Sequence, residues 1–510
     1  MLTTLDFVVM AIYVGIVVAV GIVLGRHQQG AIDYFVGGRN LPWWAACFST
    51  VATETSTLTV IGLPAVAYGG SFTFMQLTLG YLIGRSLVSV LLLPRYFDDE
   101  LVTIYEYLGR RFGAGLQAAA AVTFQITRLL ADGVRLFATA IPLTLIARTS
   151  GLDVDYGTVI AALVIATIGY TWFGGIRAVI WIDCLQLAIY VAAGAVAVAY
   201  LLPAVPVDWW RQAAEAGKLT VVDFGLDGGV AAWLTSPYLF VTAVVGGAVF
   251  SMASHGTDQL MVQRLLTCRS LRESQYALVG SAFLVAMQFA LFLFVGLLLW
   301  SFYGGQAPAA LGLARGDEIF PKFIIEELPA GITGLLLAGI VAAAMSTLSS
   351  SVNSLASSSM VDVVERIGGR KLRRGLRLPR LLTLGWAVVL TVFAASLDDS
   401  RSTVIELGLS IASFTYGALL GTFLLGIFVR AAGQADAGVA FAVTVAVLIV
   451  VVRFLGMGDD GWALSADPVA GGLSPVAWPW YPVIGATTTL VTGFLLAQRR
   501  SAAPARSGGA

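Results

Sequence analysis

Charge is what this sequence has least of. Lys, Arg, Asp and Glu make up 12% of its 510 residues, while 58% are hydrophobic; soluble globular chains carry about 25% charge. That balance excludes a soluble fold and gives a polytopic membrane protein surrounded by lipid. The thirty basic and thirty acidic residues cancel, and no basic tract carries interleaved aromatics, so nucleic acid is not an expected partner. Histidine is scarcer still. His27 and His255 are too few for an imidazole metal site, and His255, the only candidate for the Ser–His pair of an intramembrane protease, is placed at a cytoplasmic helix end. Cys47, Cys184 and Cys268 stand far apart and form neither a disulfide framework nor a metal motif. The first residues, Met-Leu-Thr-Thr-Leu-Asp, lack the basic region of a cleavable signal, so the first apolar run reads as a span. No soluble domain and no obligatory protein partner are evident.

What is present is apolar length. Segments near 5–25, 43–68, 71–94, 117–147, 157–174, 178–203, 234–254, 274–302, 331–360, 381–397, 404–429, 435–455 and 478–497 make thirteen expected spans. Basic residues distribute twenty to seven between alternate sides, with the run Arg366–Arg380 as the main anchor. The positive-inside rule then puts the N-terminus outside and the C-terminus in the cytoplasm. Residues 1–500 read as one transmembrane domain of a bacterial-type inner (cell) membrane, and 501–510 as a disordered cytoplasmic tail.

The stretch that needs explaining is 338–360. It lies in a run without charge from Leu328 to Val361, yet it is loaded with serine and threonine. At helical spacing Ala343, Ser346 and Thr347 share one face, and Ser346, Ser349 and Ser350 share another. Two overlapping sets of oxygens suit a hard cation. The plainer alternative is that the hydroxyls bond back to their own helix and the small side chains let neighbours approach closely.

Charges inside spans mark function by default. Glu54, Arg85, Arg128, Asp132, Arg135 and Asp183 qualify. Arg85 is expected to snorkel to the cytoplasmic end of its span. Arg128, Asp132 and Arg135, spaced i, i+4 and i+7, are expected to neutralise one another. Ser49–Pro64, with its β-branched and hydroxyl residues, Gly62 and Pro64, makes a poor continuous helix. Residues 234–254, with Gly246 and Gly247, form a second interrupted span. Two broken helices five spans apart point to a five-plus-five inverted repeat, with core repeats near 43–203 and 234–429.

Five segments then carry a family resemblance: Asp33-Tyr-Phe-Val-Gly-Gly-Arg-Asn-Leu-Pro-Trp-Trp44, Ala52-Thr-Glu-Thr-Ser56, Gly174-Gly-Ile-Arg-Ala-Val-Ile-Trp-Ile-Asp183, His255-Gly-Thr-Asp-Gln-Leu-Met-Val-Gln-Arg264 and Met345-Ser-Thr-Leu-Ser349. In this order the chain resembles the sodium:solute symporter family over nearly its whole length. The resemblance implies an all-α integral membrane, LeuT-like fold and Na+-coupled import of a small-molecule solute by alternating access, with no enzymatic activity. It maps a first Na+ to the carbonyls of Ala52, Thr55 and Ala343 and the hydroxyls of Ser346 and Thr347. It maps a second, found in some members, to Ser346, Ser349, Ser350 and Asp183, so two coupling ions are expected; Asp183 as a structural or proton-coupled carboxylate is the alternative. It places Glu54, Ser56, Thr59, Gln76, Phe250 and Ser251 in the solute-binding region, with Arg135 approaching it. Glu54 and Gly133-Val-Arg-Leu-Phe137 resemble the proline transporters, and Ser254 stands where sugar transporters carry an aromatic gate. The expected solute therefore bears a carboxylate, as an amino acid or monocarboxylate does. The rival readings are a proton-coupled symporter of the same fold and Na+-coupled uptake of a neutral solute such as a sugar.

Overall fold

The computed structural model describes every residue except 1, 26, 27, 29, 99, 100, 150, 369–374, 398–403, 459, 460, 466, 470 and 503–510. The tail expected to be disordered falls, from 503 onward, outside the described residues, as do Arg370, Lys371, Arg373 and Arg374 of the basic anchor.

Helix dominates, as the apolar runs require. Among the described residues eight helices are long and apolar enough to cross a membrane. Several other expected spans take irregular forms. The two segments expected at 157–174 and 178–203 are one element, Tyr156–Leu201, divided at Gly175. Gly175 sits at φ +52°, ψ −157°, and a Cβ there would meet the Tyr34 carbonyl oxygen at 2.6 Å. Only glycine fits that turn without strain.

The helix Ile332–Ser358 is buried along almost its whole length and packs against Tyr156–Leu201, Ala114–Thr149 and the first broken helix. Its small residues allow this: Gly339 lies close enough to Tyr190 that a Cβ would stand 3.3 Å from that residue's Cα. Its hydroxyls follow the plainer alternative in part, and in part do something neither reading foresaw. Ser349, Ser354 and Ser357 donate to carbonyls three residues back, each at 3.0 Å. Ser346, Ser351 and Ser358 instead donate to buried carboxylates, namely Asp183 at 2.6 Å, Asp132 at 2.5 Å and Asp362 at 3.0 Å. This serine helix is thus the donor for three acidic groups in a low-dielectric interior.

The first interrupted span breaks as expected, into Trp43–Glu54 and Thr57–Gly69, with Thr55 and Ser56 in extended conformation between them. Pro64 is carried within the second half, and Leu271–Phe302 packs so closely on it that a Cβ at Gly296 would meet the Pro64 carbonyl oxygen at 2.1 Å.

The second break is not where glycine suggests. Gly246 and Gly247 keep helical angles, in a π-helical turn Thr242–Gly246 leading into Gly247–Gly256. These glycines serve close packing: a Cβ on Gly246 would lie 2.5 Å from Pro479, and one on Gly247 3.3 Å from Leu77. The chain opens instead at Thr257 and Asp258, before Gln259–Leu265. His255 therefore lies in the last turn of the helix before this break and is 2% exposed. A small antiparallel sheet, Leu455–Gly458, Gly461–Leu464 and Ser474–Pro475, precedes the last helix and had no counterpart in the sequence reading.

Candidate functional site

Both breaks face one cavity of about 120 Å³. Of the residues expected to bind solute, Glu54, Ser56, Thr59, Arg135 and Phe250 line it. Gln76 and Ser251 do not. Gln76 donates to the Tyr238 carbonyl at 2.7 Å and accepts from the Asp223 amide at 3.1 Å, tying down a connecting loop. Ser251 donates to the Tyr81 carbonyl at 3.3 Å, holding two helices together. The sequence reading missed much of the wall, including Arg128, His255, Tyr416 and Trp478. Histidine beside Asp258 in a segment with weak helix formers was a signal for the break. Trp478 lies more than two hundred residues from Phe250, and no local pattern joins the two rings, whose centroids are 5.3 Å apart.

The charges around this cavity are matched in pairs. Glu54 accepts from Arg85 at 2.5 Å, and Arg85, fully buried, also donates to Ser281 at 2.6 Å. Arg85 thus stays inside instead of snorkelling, because a carboxylate and a hydroxyl replace its water. His255 Nε2 lies 3.6 Å from the same Glu54 oxygen, and its Nδ1 is 2.8 Å from Ser254 Oγ. Asp132 is shared by Arg128 at 3.3 Å and Arg135 at 3.4 Å, as spacing indicated. Arg128 further reaches across to Asp258 at 3.5 Å, while the Tyr416 hydroxyl donates to that carboxylate at 2.6 Å. Arg135 is the cation of this group that meets the cavity most openly, with its side chain 19% exposed. Glu54 is the one acidic residue on the described wall.

The two breaks differ in what happens to their freed carbonyls. At the second, the Tyr96 hydroxyl donates to Gly256 O at 2.6 Å and the Tyr105 hydroxyl to Thr257 O at 3.3 Å, while Asp258 caps the following half-helix by accepting from the Leu260 amide at 2.9 Å. Those groups are already satisfied. At the first, the Thr55 amide is the last to continue the ladder, donating to Val51 O at 3.0 Å, and among the described residues no backbone amide reaches the carbonyls of Ala52 or Thr55. Buried carbonyls without donors are costly in a membrane interior unless something positive meets them. The serine helix stands beside them: Thr347 lies 3.4 Å from Thr53 O and 3.3 Å from Ala343 O. Oxygens of the two helices meet at Thr347 and Thr53 O, whereas the Ser346 hydroxyl is turned to Asp183 on the Tyr156–Leu201 helix. A hollow of about 20 Å³, lined by Ser56, Asp132, Arg135 and Thr347 among others, adjoins this place; it is large enough for one water or small ion.

The second set is arranged differently. Ser346 donates to Asp183 Oδ1 at 2.6 Å, and Ser49 donates to Oδ2 at 2.6 Å. Ser349 bonds back to its own helix. Ser350 accepts from the Arg264 guanidinium, whose Nη2 stands 3.6 Å from Asp183 Oδ2.

A cavity between two broken helices, with carbonyls at one break left without backbone donors among the described residues, is the architecture of an ion-coupled membrane transporter. The family follows from comparison with known proteins. The sodium:solute symporter family model matches residues 34–443, and the chain belongs to that family. It is 26% identical over 503 residues to the sodium/sialic acid symporter NanT of Aliivibrio fischeri, covering 97% of this chain and 93% of that protein. It is 28% identical to the human sodium-coupled monocarboxylate transporter 1, covering 85% of this chain and 70% of the other. A substrate-bound, outward-open Na+-coupled sialic acid symporter superposes with a TM-score of 0.82 at 25% identity, covering 98% of both chains. A nucleobase-cation-symport-1 family transporter, at TM-score 0.52 and 14% identity over 92% of this chain and 94% of that one, shares the fold alone. The chain is therefore a multi-pass, LeuT-like, Na+-coupled solute symporter and not an enzyme.

Proposed function

We propose that this symporter imports a small monocarboxylate together with Na+. The observation that carries the reading is the charge arrangement of the cavity wall. Its one acidic residue, Glu54, is already held by Arg85 at 2.5 Å, so an ammonium group would find no free anion there. Arg135 faces the cavity, and a guanidinium suits a carboxylate. This favours a monocarboxylate over the amino acid that Glu54 suggested in the sequence.

Size supports the same choice. A cavity of about 120 Å³ is close to the roughly 150 Å³ void that accepts benzene, and so suits an acid of a few heavy atoms more than a nine-carbon sugar acid. Phe74, Phe250, Phe289 and Trp478 supply apolar wall for the body of such a solute. Thr59 and Ser56 supply polar positions near its head.

Na+ at Ala52, Thr55, Ala343, Ser346 and Thr347 joins the first broken helix to the serine helix. Solute bound between the same elements stabilises the same arrangement, so each raises the affinity of the other by an equal factor. We further read thirteen spans, with the N-terminus outside and the C-terminus in the cytoplasm of a bacterial-type inner membrane. Surrounding lipid, and no obligatory protein partner, completes that reading.

The test is uptake into proteoliposomes of radiolabelled propionate and benzoate, with propionamide and benzamide as uncharged controls, under an imposed Na+ gradient. Accumulation of an acid but not its amide, lost when Na+ is replaced by K+, is the expected result. Equal accumulation of the amides would remove the carboxylate reading. Uptake that persists without Na+ and follows a pH gradient would favour proton coupling.

A further inference from the structure

The second cation site expected from the family resemblance is Ser346, Ser349, Ser350 and Asp183. Asp183 is fully buried and so is Arg264. The guanidinium reaches this site from three directions. Its Nε donates to Ser49 Oγ at 2.9 Å, Nη2 donates to Ser350 Oγ, and the same nitrogen is 3.6 Å from Asp183 Oδ2. Nη1 donates to the Leu260 carbonyl on its own half-helix, which fixes the direction of the side chain.

The remaining members of the set are engaged as well. Ser346 and Asp183 Oδ1 are hydrogen-bonded to each other at 2.6 Å. Ser350 is also 3.1 Å from Thr53 Oγ1. Among the described residues Asp183 has one countercharge, the Arg264 guanidinium, and that charge belongs to the chain. A sodium ion among the same oxygens would place a second positive charge beside a desolvated guanidinium, with Asp183 as the carboxylate both would have to share. The residues present do not fit a second Na+ while Arg264 is in place.

We infer that Arg264 is the built-in cation of the second site and that this protein binds one Na+, at the first. A guanidinium cannot be released into the cytoplasm as a transported ion is. Its contact joins the C-terminal half of the second broken helix to the first broken helix through Ser49, to the Tyr156–Leu201 helix through Asp183, and to the serine helix through Ser350. Two sites are thereby divided between cargo and scaffold: Asp183 and Ser350 already hold a guanidinium, while among the described residues the Ala52 and Thr55 carbonyls have no backbone donor.

Equilibrium binding of radiolabelled sodium to the purified full-length protein in nanodiscs tests this without knowledge of the solute. One ion per chain with a single saturation phase is expected. Two per chain would overturn the inference while leaving Na+-coupled symport intact, whereas no binding at all would count against the first site as well. Arg264→Gln removes the charge and keeps an amide, and a folded R264Q protein, checked by its melting transition, is expected to bind two ions. Adding Asp183→Asn to that background should return the count to one. A folded R264Q protein that still binds one ion would show that the guanidinium is not what excludes the second. If the variant does not fold, the wild-type count alone decides.

Discussion

Replacing Arg85 by Gln separates two roles for Glu54 that the sequence cannot distinguish: a ligand for the solute, or half of a structural ion pair. The two groups are 2.5 Å apart, with Arg85 fully buried and Glu54 14% exposed. At an effective dielectric constant of 20, unit charges at that separation attract by about 7 kcal/mol. Desolvation of both ions offsets most of it, so the pair adds little net stability over an apolar substitute. Removing one partner is different, because it leaves the other charged and buried, at a cost of about 3–5 kcal/mol. For a chain of this size that corresponds to a fall in melting midpoint of about 3–5 °C. Glu54→Gln combined with Arg85→Gln leaves no orphan charge and should recover most of the loss. The assay is a thermal melt of each variant in detergent, together with carboxylate binding. R85Q is expected to be clearly less stable than the double variant, and the double variant to retain carboxylate binding within several-fold. If E54Q/R85Q is as unstable as R85Q, or if it melts normally but no longer binds, Glu54 is not simply the partner of Arg85.

Arg135→Gln should weaken carboxylate binding by roughly 10–100-fold, the worth of one charge-assisted hydrogen bond, as read by isothermal titration with the acid that proteoliposomes accumulate; Arg135→Lys should recover only part of it. Ser346→Ala with Thr347→Ala should abolish Na+-driven accumulation while the protein still inserts, and accumulation that still tracked the Na+ gradient would exclude the first ion site. Gly175→Ala forces a Cβ to within 2.6 Å of the Tyr34 carbonyl oxygen at a positive φ, so a marked loss of folded protein on size-exclusion chromatography is expected. Tyr96→Phe removes the donor to Gly256 O and should cost about 1–3 kcal/mol in stability through an unsatisfied buried carbonyl, without changing the number of Na+ bound.

The sequence by itself determined the class of protein and the first broken helix. These are local properties. Apolar length specifies spans, and β-branched and hydroxyl residues at 49–64 weaken a helix wherever it is placed. Tertiary structure alone decided the rest. Gly246 and Gly247 resembled a break because glycine signals both unwinding and close packing, and only the nearness of Pro479 and Leu77 shows that packing applies. Arg85 appeared to be a residue for the membrane edge until Glu54, thirty-one positions earlier, was seen to meet it. Asp183 and Arg264 are eighty-one residues apart, so the charge that matches Asp183 could not be read from its own helix. What a buried charge does depends on which other charge the fold brings to it, and that distance is not written in the local sequence.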